Sequence, residues 1–451
     1  MSRNKRRGSS TRNQESEPPK PNTGQWLIEP RDPLIVRDGR PFNNTPGAKA
    51  YTQSFPPPSV LAGVVRTQTA YATNMRLTLD DGQPNQPKLD LLKQIKIYGP
   101  LLFKLPNPNK EKDEPEFLCP APADALLFEL EAKPSDTQAA ESTTSAVWLR
   151  QLVPIQPPAR FSSDFNELGL VGLVEADARK PAKEQPQFWY WEHFLQWLHD
   201  PAGLINQTHG SSELKTADLG IKGLPIDQRT HTQIDPERQS AEDGRLFQTR
   251  GLSFTQAKDD QLAEAQRLAL FVKADYKQSN LAVPAMKLAP LGGERRLAHW
   301  HSVPTISSSP FDQATIDAIA TKIGETGACR LILLTPCMFE KGYRPTWLCR
   351  DVDGVQPTLE AIAIKRAQVI SGWDLAIRKA KHTRRLAPAG TVLFLTFAEK
   401  ENSAAIEAWV RKLWMQCISD EEQDRRDGFG LAVFGTWDGE FAEIKGVSNE
   451  S

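Results

Sequence analysis

Apolar positions recur along this chain in two periods, and the places where one gives way to the other mark its elements. QWLIEP from Gln25 and LIV at 34–36 read as short extended segments. Between about Ser59 and Ala72, Val60, Leu61, Val64 and Val65 fall at helical spacing, so one side of a helix faces a core. Pro56, Pro57 and Pro58 hold the backbone extended until Ser59 caps that helix, Gly63 would let another backbone approach, and Arg66 would emerge at the next turn. LLKQIKIYGPLLFKL at 91–105 mixes β-branched and aromatic residues around Gly99-Pro100, which predicts strands broken by a turn. A β-α-β start of this kind suits a ferredoxin-like domain.

Between about Pro106 and Lys222 the periodicity degrades into NPNKEKDEPE and KPSDTQAAESTTS, interrupted by the aromatic helix FWYWEHFLQWLHD, and the stretch reads as an insertion. Positions 190, 194, 197 and 198 share a helical face suited to docking on a core or a partner protein. Trp189, Trp191, Phe194, Trp197 and Leu198 also offer the alternative of a stacking platform for bases. Order returns near Arg229, where Thr230, Thr232 and Ile234 alternate with His231 and Gln233, and Glu242-Asp243-Gly244 is read as the turn into a strand through Leu246 and Phe247. RLALFVKADY, from Arg267, supplies another strand. The second half reads as a helix at about 311–323, the buried strand CRLILLTP, a strand over 361–370, and a basic stretch leading through Pro388-Ala389-Gly390 into a further strand. A helix over about 403–417 places Ile406, Val410, Leu413 and Trp414 on one face, and GFGLAVFG at 428–435 returns as a glycine-led strand. This order permits a second ferredoxin-like unit.

With 451 residues the chain is long enough for two or three domains, each with its own core. Lysine and arginine number 55 against 56 aspartates and glutamates, a net charge of −1, so any nucleic-acid site must be local. Five cysteines without a CxxC pair argue against a disulfide framework or a zinc ribbon, and a reducing cytoplasm fits best. The first 23 residues are polar and read as a disordered tail in which Lys5, Arg6 and Arg7 are solvated. No later run approaches the ~20 apolar residues of a membrane span, so the expectation is a soluble, unexported protein.

Local positive charge gathers in three places. Arg37 and Arg40 flank the Asp38-Gly39 turn; PLGGERRLAHW at 290–300 sets Arg295 and Arg296 beside a flexible glycine pair; and Arg378, Lys379, Lys381, Arg384 and Arg385 form the densest run. Each suits a phosphate contact, and each is equally readable as a turn with solvated cations. The glycines of GFGLAVFG stand at 428, 430 and 435 and satisfy neither GxGxxG nor the Walker pattern, and DVDG at 351–354 is a turn lacking the remaining ligands of a calcium loop. No histidine precedes His193; Tyr51 and Lys49 are weak acid-base candidates without an evident base; and GGDD, HD and GxSxG signatures are missing from the sequence.

RDGRPF followed by PPPSVLAGVVRT resembles the start of the RAMP subunit of type III-B CRISPR effectors, the Cmr complex, that holds the 5′ end of the guide RNA. RTHTQIDPERQSAEDGRLFQTRGLSF, PLGGERRLAHW and GYRP extend the resemblance over most of residues 25–435. It implies an α+β chain of two ferredoxin-like (RRM-like) domains in tandem: a tail at 1–23, a first domain at 24–290 with an insertion at about 106–222, and a second at 291–451 with a glycine-rich loop. It further implies a non-catalytic crRNA-binding and assembly subunit of an RNA-guided antiviral effector, without cofactor or metal. Such a subunit clamps the repeat-derived 5′ tag of the crRNA and docks the large polymerase-like subunit and a neighbouring RAMP backbone subunit, away from any membrane. RNA contacts then fall on Arg37, Arg40, Lys49, Arg66, Arg229, His231, Gly292, Gly293, Arg295, Arg296, Lys381, Arg384, Arg385, Gly428 and Gly430. The alternatives are a RAMP-type metal-independent endoribonuclease that processes guide precursor RNA, and a protein-only adaptor using the aromatic insertion.

Overall fold

The structure, a computed structural model, describes residues 22–38, 49–107, 109, 113–129, 147–157, 167–183, 185–209, 214–258, 261–303, 306, 309–374, 379–398 and 402–445. In chain order the first half supplies β1 (Thr23–Pro30), β2 (Lys49–Ala50), α1 (Pro58–Ala72), β3 (Lys96–Lys104), α2 (Trp191–His199), β4 (Ile226–Ile234), β5 (Ala241–Leu252), β6 (Gln261–Asp275) and β7 (Leu297–Ser302). The second half supplies α3 (Gln313–Thr326), β8 (Ala328–Leu333), β9 (Pro357–Ala363), β10 (Val392–Phe397), α4 (Ser403–Leu413), α5 (Glu422–Asp427) and β11 (Ala432–Thr436).

Two antiparallel sheets organise these elements into a mixed α+β fold. The centre of the first runs β3, β6, β1, β7, and the second runs β9, β10, β8, β11. Counted within each half by order of appearance, both sheets therefore read second, third, first, fourth. The halves differ in which crossover carries a helix: α1 fills the first crossover of the first sheet and α4 the second crossover of the second. The reciprocal connections, 276–296 and 334–356, contain no α-helix: the first holds the edge strand Leu288–Pro290 and a short 3-10 turn, the second irregular backbone.

Alternation along the central strands divides the first sheet between two cores, because successive side chains point to opposite faces. Trp26, Ile28, Leu270 and Val272 join Leu61, Val65 and Leu102 under α1, whereas Leu27, Phe271 and Phe103 face the second sheet and its helices. α1 starts where the proline run ends, with Pro58 in its first turn and Pro57 extended at φ −70° and ψ 153°. Gly63 departs from expectation: it is exposed, and an added Cβ would meet nothing within 4 Å, so no backbone approaches there.

Other boundaries also move. Gly99 and Pro100 lie inside the continuous strand β3 rather than in a turn. The β4/β5 hairpin turns at 235–240, before the expected Glu242-Asp243-Gly244, which lies within β5. The expected domain border at 290/291 falls short of β7, which pairs with β1 and extends the first sheet to Ser302. Strands Glu116–Pro120, Phe188–Tyr190 and Gly220–Ile221, all from the expected insertion, continue that sheet on its other side. The aromatic helix is buried: Trp191, Phe194, Trp197 and Leu198 pack into the large core, and Trp189 meets Trp197 edge-on at 5.7 Å.

That helix is fixed by a charge pair wholly out of water. Arg330 of β8 donates to Asp124 Oδ2 at 2.6 Å, to Trp197 O at 2.5 Å and to Thr436 O at 2.9 Å, while Trp197 Nε1 donates to Asp124 Oδ1 at 3.0 Å. Both charged side chains are fully buried. Thr436 Oγ1 donates to the next carbonyls of α2, Leu198 O at 3.3 Å and His199 O at 2.9 Å. The crowding explains Gly435, where a Cβ would stand 3.1 Å from both Arg330 Nη2 and Leu198 O.

Asp124→Ala strands the Arg330 guanidinium in the core and should lower unfolding free energy by about 3–5 kcal/mol, whereas Asp124→Leu combined with Arg330→Met should regain most of it. Urea denaturation followed by tryptophan fluorescence measures both; an Asp124→Ala chain as stable as the parent would remove this network from the account of stability.

Candidate nucleic-acid interface

The segment leaving β1 is pinned on two sides by backbone hydrogen bonds. On one side Thr52 Oγ1 accepts from Val36 N at 3.2 Å and donates to Val36 O at 3.0 Å, Gln53 N donates to the same oxygen at 2.7 Å, and Asp38 N donates to Tyr51 O at 3.1 Å. On the other, Gly293 N donates to Ile35 O at 2.7 Å. Gly292 has φ +73°, and a Cβ there would sit 2.5 Å from Ile35 O, so this close approach requires glycine. Glu294 and Arg295 continue the turn at φ 56° and 52°. Arg37, Lys49 and Arg295 are exposed around this junction, and β2 places Lys49 opposite Gln248 in a parallel pairing with β5. Arg296 is held back by Glu294 at 3.1 Å with little exposure. Arg40 lies outside the described residues.

The hairpin of β4 and β5 carries two more of the expected residues. Arg229 is paired with Asp227 at 2.9 Å. His231 Nε2 shares a hydrogen with Thr249 Oγ1 at 2.8 Å, and its ring stacks on Phe247 with centroids 5.1 Å apart. Across the opposite face Arg250 lies over the Tyr51 ring at 5.0 Å. Sequence reading passed over Gln228, Gln248 and Arg250, although polar residues on both alternations of β4 were a sign that neither of its faces enters a core.

The densest basic run divides. Lys381 and Arg385 are exposed, whereas Arg384 is clamped to Asp424 and covers the Phe429 ring at 4.9 Å. Strands Gln368–Ile370 and Arg384–Leu386 form a hairpin that meets the first half at Gln53, whose Nε2 donates to Val369 O at 3.3 Å. Arg378 lies outside the described residues.

Arg66 and the glycine loop, expected to contact RNA, face the protein's own interior instead. Arg66 turns away from the surface, with 12 % of its side chain exposed, and donates to Asp427 at 2.6 Å, Ile95 O at 3.0 Å and Arg426 O at 3.3 Å. Gly428 and Gly430 are buried, and the backbone they admit is the protein's own. A Cβ at Gly428 (φ +98°) would lie 2.9 Å from Gly99 O, and one at Gly430 (φ +80°) 2.6 Å from Cys337 Sγ. α5 thus presents Asp424 and Asp427 to arginines from both halves. Nearby, Phe55, Pro56–Pro58, Phe188 and Pro336 wall a cleft of ≈ 200 Å³ between the halves, where desolvation pushes the Lys365 ammonium below the ordinary lysine value.

Among the described residues, no helix is long and apolar enough to cross a membrane, and no three His, Cys, Asp or Glu side chains gather as metal ligands. All five cysteines are free. A family model described as CRISPR-associated protein (Cas_Cmr3) matches residues 26–437. No curated protein matches the chain. Among solved structures, the chain is similar to one in the Type III-B Cmr-beta complex bound to cognate target RNA and AMPPnP, at 14 % identity over 82 % of this chain and 86 % of that one, with a TM-score of 0.41. It is also similar to a chain of the Csm3-Csm4 subcomplex in the type III-A CRISPR-Cas interference complex, at 9 % identity over 83 % and 93 %, with a TM-score of 0.31.

Gly428→Ala forces a side chain into a left-handed backbone conformation against Gly99 O, and should cost about 1–3 kcal/mol. Because the glycine faces protein, nucleic-acid affinity per folded molecule should stay at the parental value. Thermal unfolding and filter binding on the soluble fraction separate the two effects; lost affinity at parental stability would return the loop to the binding surface.

Proposed function

The chain belongs to the Cas_Cmr3 family of CRISPR-associated proteins, and from that premise we propose that it is a non-catalytic RNA-binding and assembly subunit of a type III-B effector. In this reading it holds the repeat-derived 5′ tag of the crRNA and docks the large polymerase-like subunit and a neighbouring RAMP backbone subunit. The observation that carries the reading is the junction at Ile35: two sets of backbone hydrogen bonds bring the separate segments around Arg37, Lys49 and Arg295 onto one rim, with all three cations exposed. Gln53 joins the hairpin of Lys381 and Arg385 to that rim. Cations so placed neutralise successive phosphates and fix register, leaving sequence to be read by contacts to splayed bases. The strand order shared by the two sheets supports reading each half as a ferredoxin-like unit that has lost one of its two crossover helices.

Catalysis is not part of this proposal. His231, the histidine on the hairpin, is bonded to a threonine hydroxyl and stacked on phenylalanine, and among the described residues no carboxylate orients it as a general base. Purified chain incubated with guide precursor RNA should leave it intact. Cleavage that persists through purification and disappears in a His231→Ala or Tyr51→Phe variant would favour the processing endoribonuclease instead.

Arg37→Ala/Lys49→Ala/Arg295→Ala should weaken binding to all single-stranded RNAs and reduce the slope of log affinity against log salt by about 2, at roughly 0.7 per lost contact. Fluorescence anisotropy over a salt series checks this; an unchanged slope in a folded triple variant would remove the rim from the RNA interface.

A further inference from the structure

The cleft of ≈ 200 Å³ between the halves is walled by Phe55, Phe188 and Leu334 and by prolines from both halves, among them Pro57, Pro100 and Pro336. Of the described residues that line it, Lys365 alone is ionisable. Its side chain is exposed, so solutes reach it through the mouth of the cleft. The apolar walls nevertheless crowd the ammonium, and desolvation holds it below the ordinary lysine value. Among the described residues, no carboxylate or other hydrogen-bond acceptor lies in bonding reach of its nitrogen.

An ammonium carries a full charge and three N–H donors, and neither is answered here. A lysine desolvated against apolar groups keeps more of its amine in the neutral, nucleophilic form. Of the products such an amine can form, a methylated lysine keeps the charge, whereas an amide is neutral and suits apolar walls. The cleft is several times the ~30 Å³ share of one liquid water, which leaves room for a small acyl group. Gln368, on the same lining, donates its Nε2 to Gln53 Oε1 at 3.4 Å and keeps its own amide oxygen as an acceptor for the N–H of a new amide. Arg366 follows in the chain, and the hairpin that begins at Gln368 sets Arg385 opposite Val369; both cations are exposed and suit a phosphate leaving group.

We propose that Lys365 is a modification site that accepts a small acyl group from an acyl phosphate, with the acyl chain lying in the cleft against Phe55 and the prolines. The neutral amine attacks the acyl carbon and forms the C–N bond. The bond from that carbon to the bridging oxygen breaks, phosphate leaves with the electron pair, and the amine's proton passes to phosphate or water. Nothing in this chemistry depends on the RNA-binding role. Lys273 supplies the contrast: burial holds its ammonium low as well, but it is packed between the Phe311 and Tyr98 rings, at 4.8 and 5.8 Å from their centroids, and does not line the cleft.

The test incubates the full folded chain with acetyl phosphate and follows the acetylated fraction at each lysine by peptide mass spectrometry, over time and over a pH series. Near neutral pH Lys365 should react roughly threefold or more faster than the exposed Lys88 and Lys287. Because its ammonium is held low, its rate should also level off at a lower pH than theirs. In urea the three rates should converge, and in a folded Phe55→Ala chain, which lacks part of the wall, Lys365 should slow toward the surface rate. A Lys365 no faster than Lys88 and Lys287 overturns the proposal, and so does a lead that persists in urea, which would belong to the local sequence. An unchanged rate in folded Phe55→Ala, or equal reaction at Lys273, would assign the effect to burial without the cleft and overturns it equally.

Discussion

A guanidinium with no access to water is tolerated where its nitrogens and the charge itself are answered, and around Arg330 each of the three nitrogens has a hydrogen-bond acceptor, one of them a carboxylate. Its partners come from three separate stretches: Asp124 and Trp197 from the region between β3 and β4, and Thr436 from the last strand. Since each desolvated charge is costly alone, the network is satisfied only when α2 is seated against β11 with Asp124 beside it. The two sheets are thereby held in one relation, and the segment that interrupts the sequence of the first half becomes the material between them. The placement of the glutamine at position 53, and of the basic hairpin it touches, inherits that fixed geometry.

Elements announced by strong periodicity were legible. α1, the strand over 328–333 and the helix over 403–413 appear where apolar spacing put them, because each buries a face whose period is its own. The region 106–222 was not legible as sheet, since its strands at 116–120, 188–190 and 220–221 are short and acquire their partners only across long loops. Proline at position 100 reads locally as a break, yet β3 continues through it, with its missing N–H accommodated at an irregularity in the ladder with β6.

The candidate site was legible only as a set of charges. Arg66 is a buried tether because a carboxylate at position 427, far along the chain, meets it, and no local pattern records that pairing. The same holds for Arg384 and Asp424. The glycine pair at 292–293 announced a close approach, and Gly428 was expected to contact RNA; the group that approaches in each case is a carbonyl of this chain, at Ile35 or Gly99. Local chemistry fixes what a residue can accept; only the fold decides what arrives.

The internal pairing of arginines has a kinetic meaning. Arg66, Arg229 and Arg384 each have a carboxylate within hydrogen-bond reach, so their fields cancel over a few ångströms, and the remaining exposed cations belong to a chain whose net charge is −1. Beyond a Debye length of about 8 Å at physiological salt, a passing polyanion meets almost no attraction. Under the proposed RNA-binding role, encounter would proceed at the unsteered rate, and selectivity would be exercised after contact, in how long a strand that fits the surface stays on it. A surface built in this way would, in that role, resist capture by the bulk of cellular nucleic acid, whose phosphates are everywhere the same.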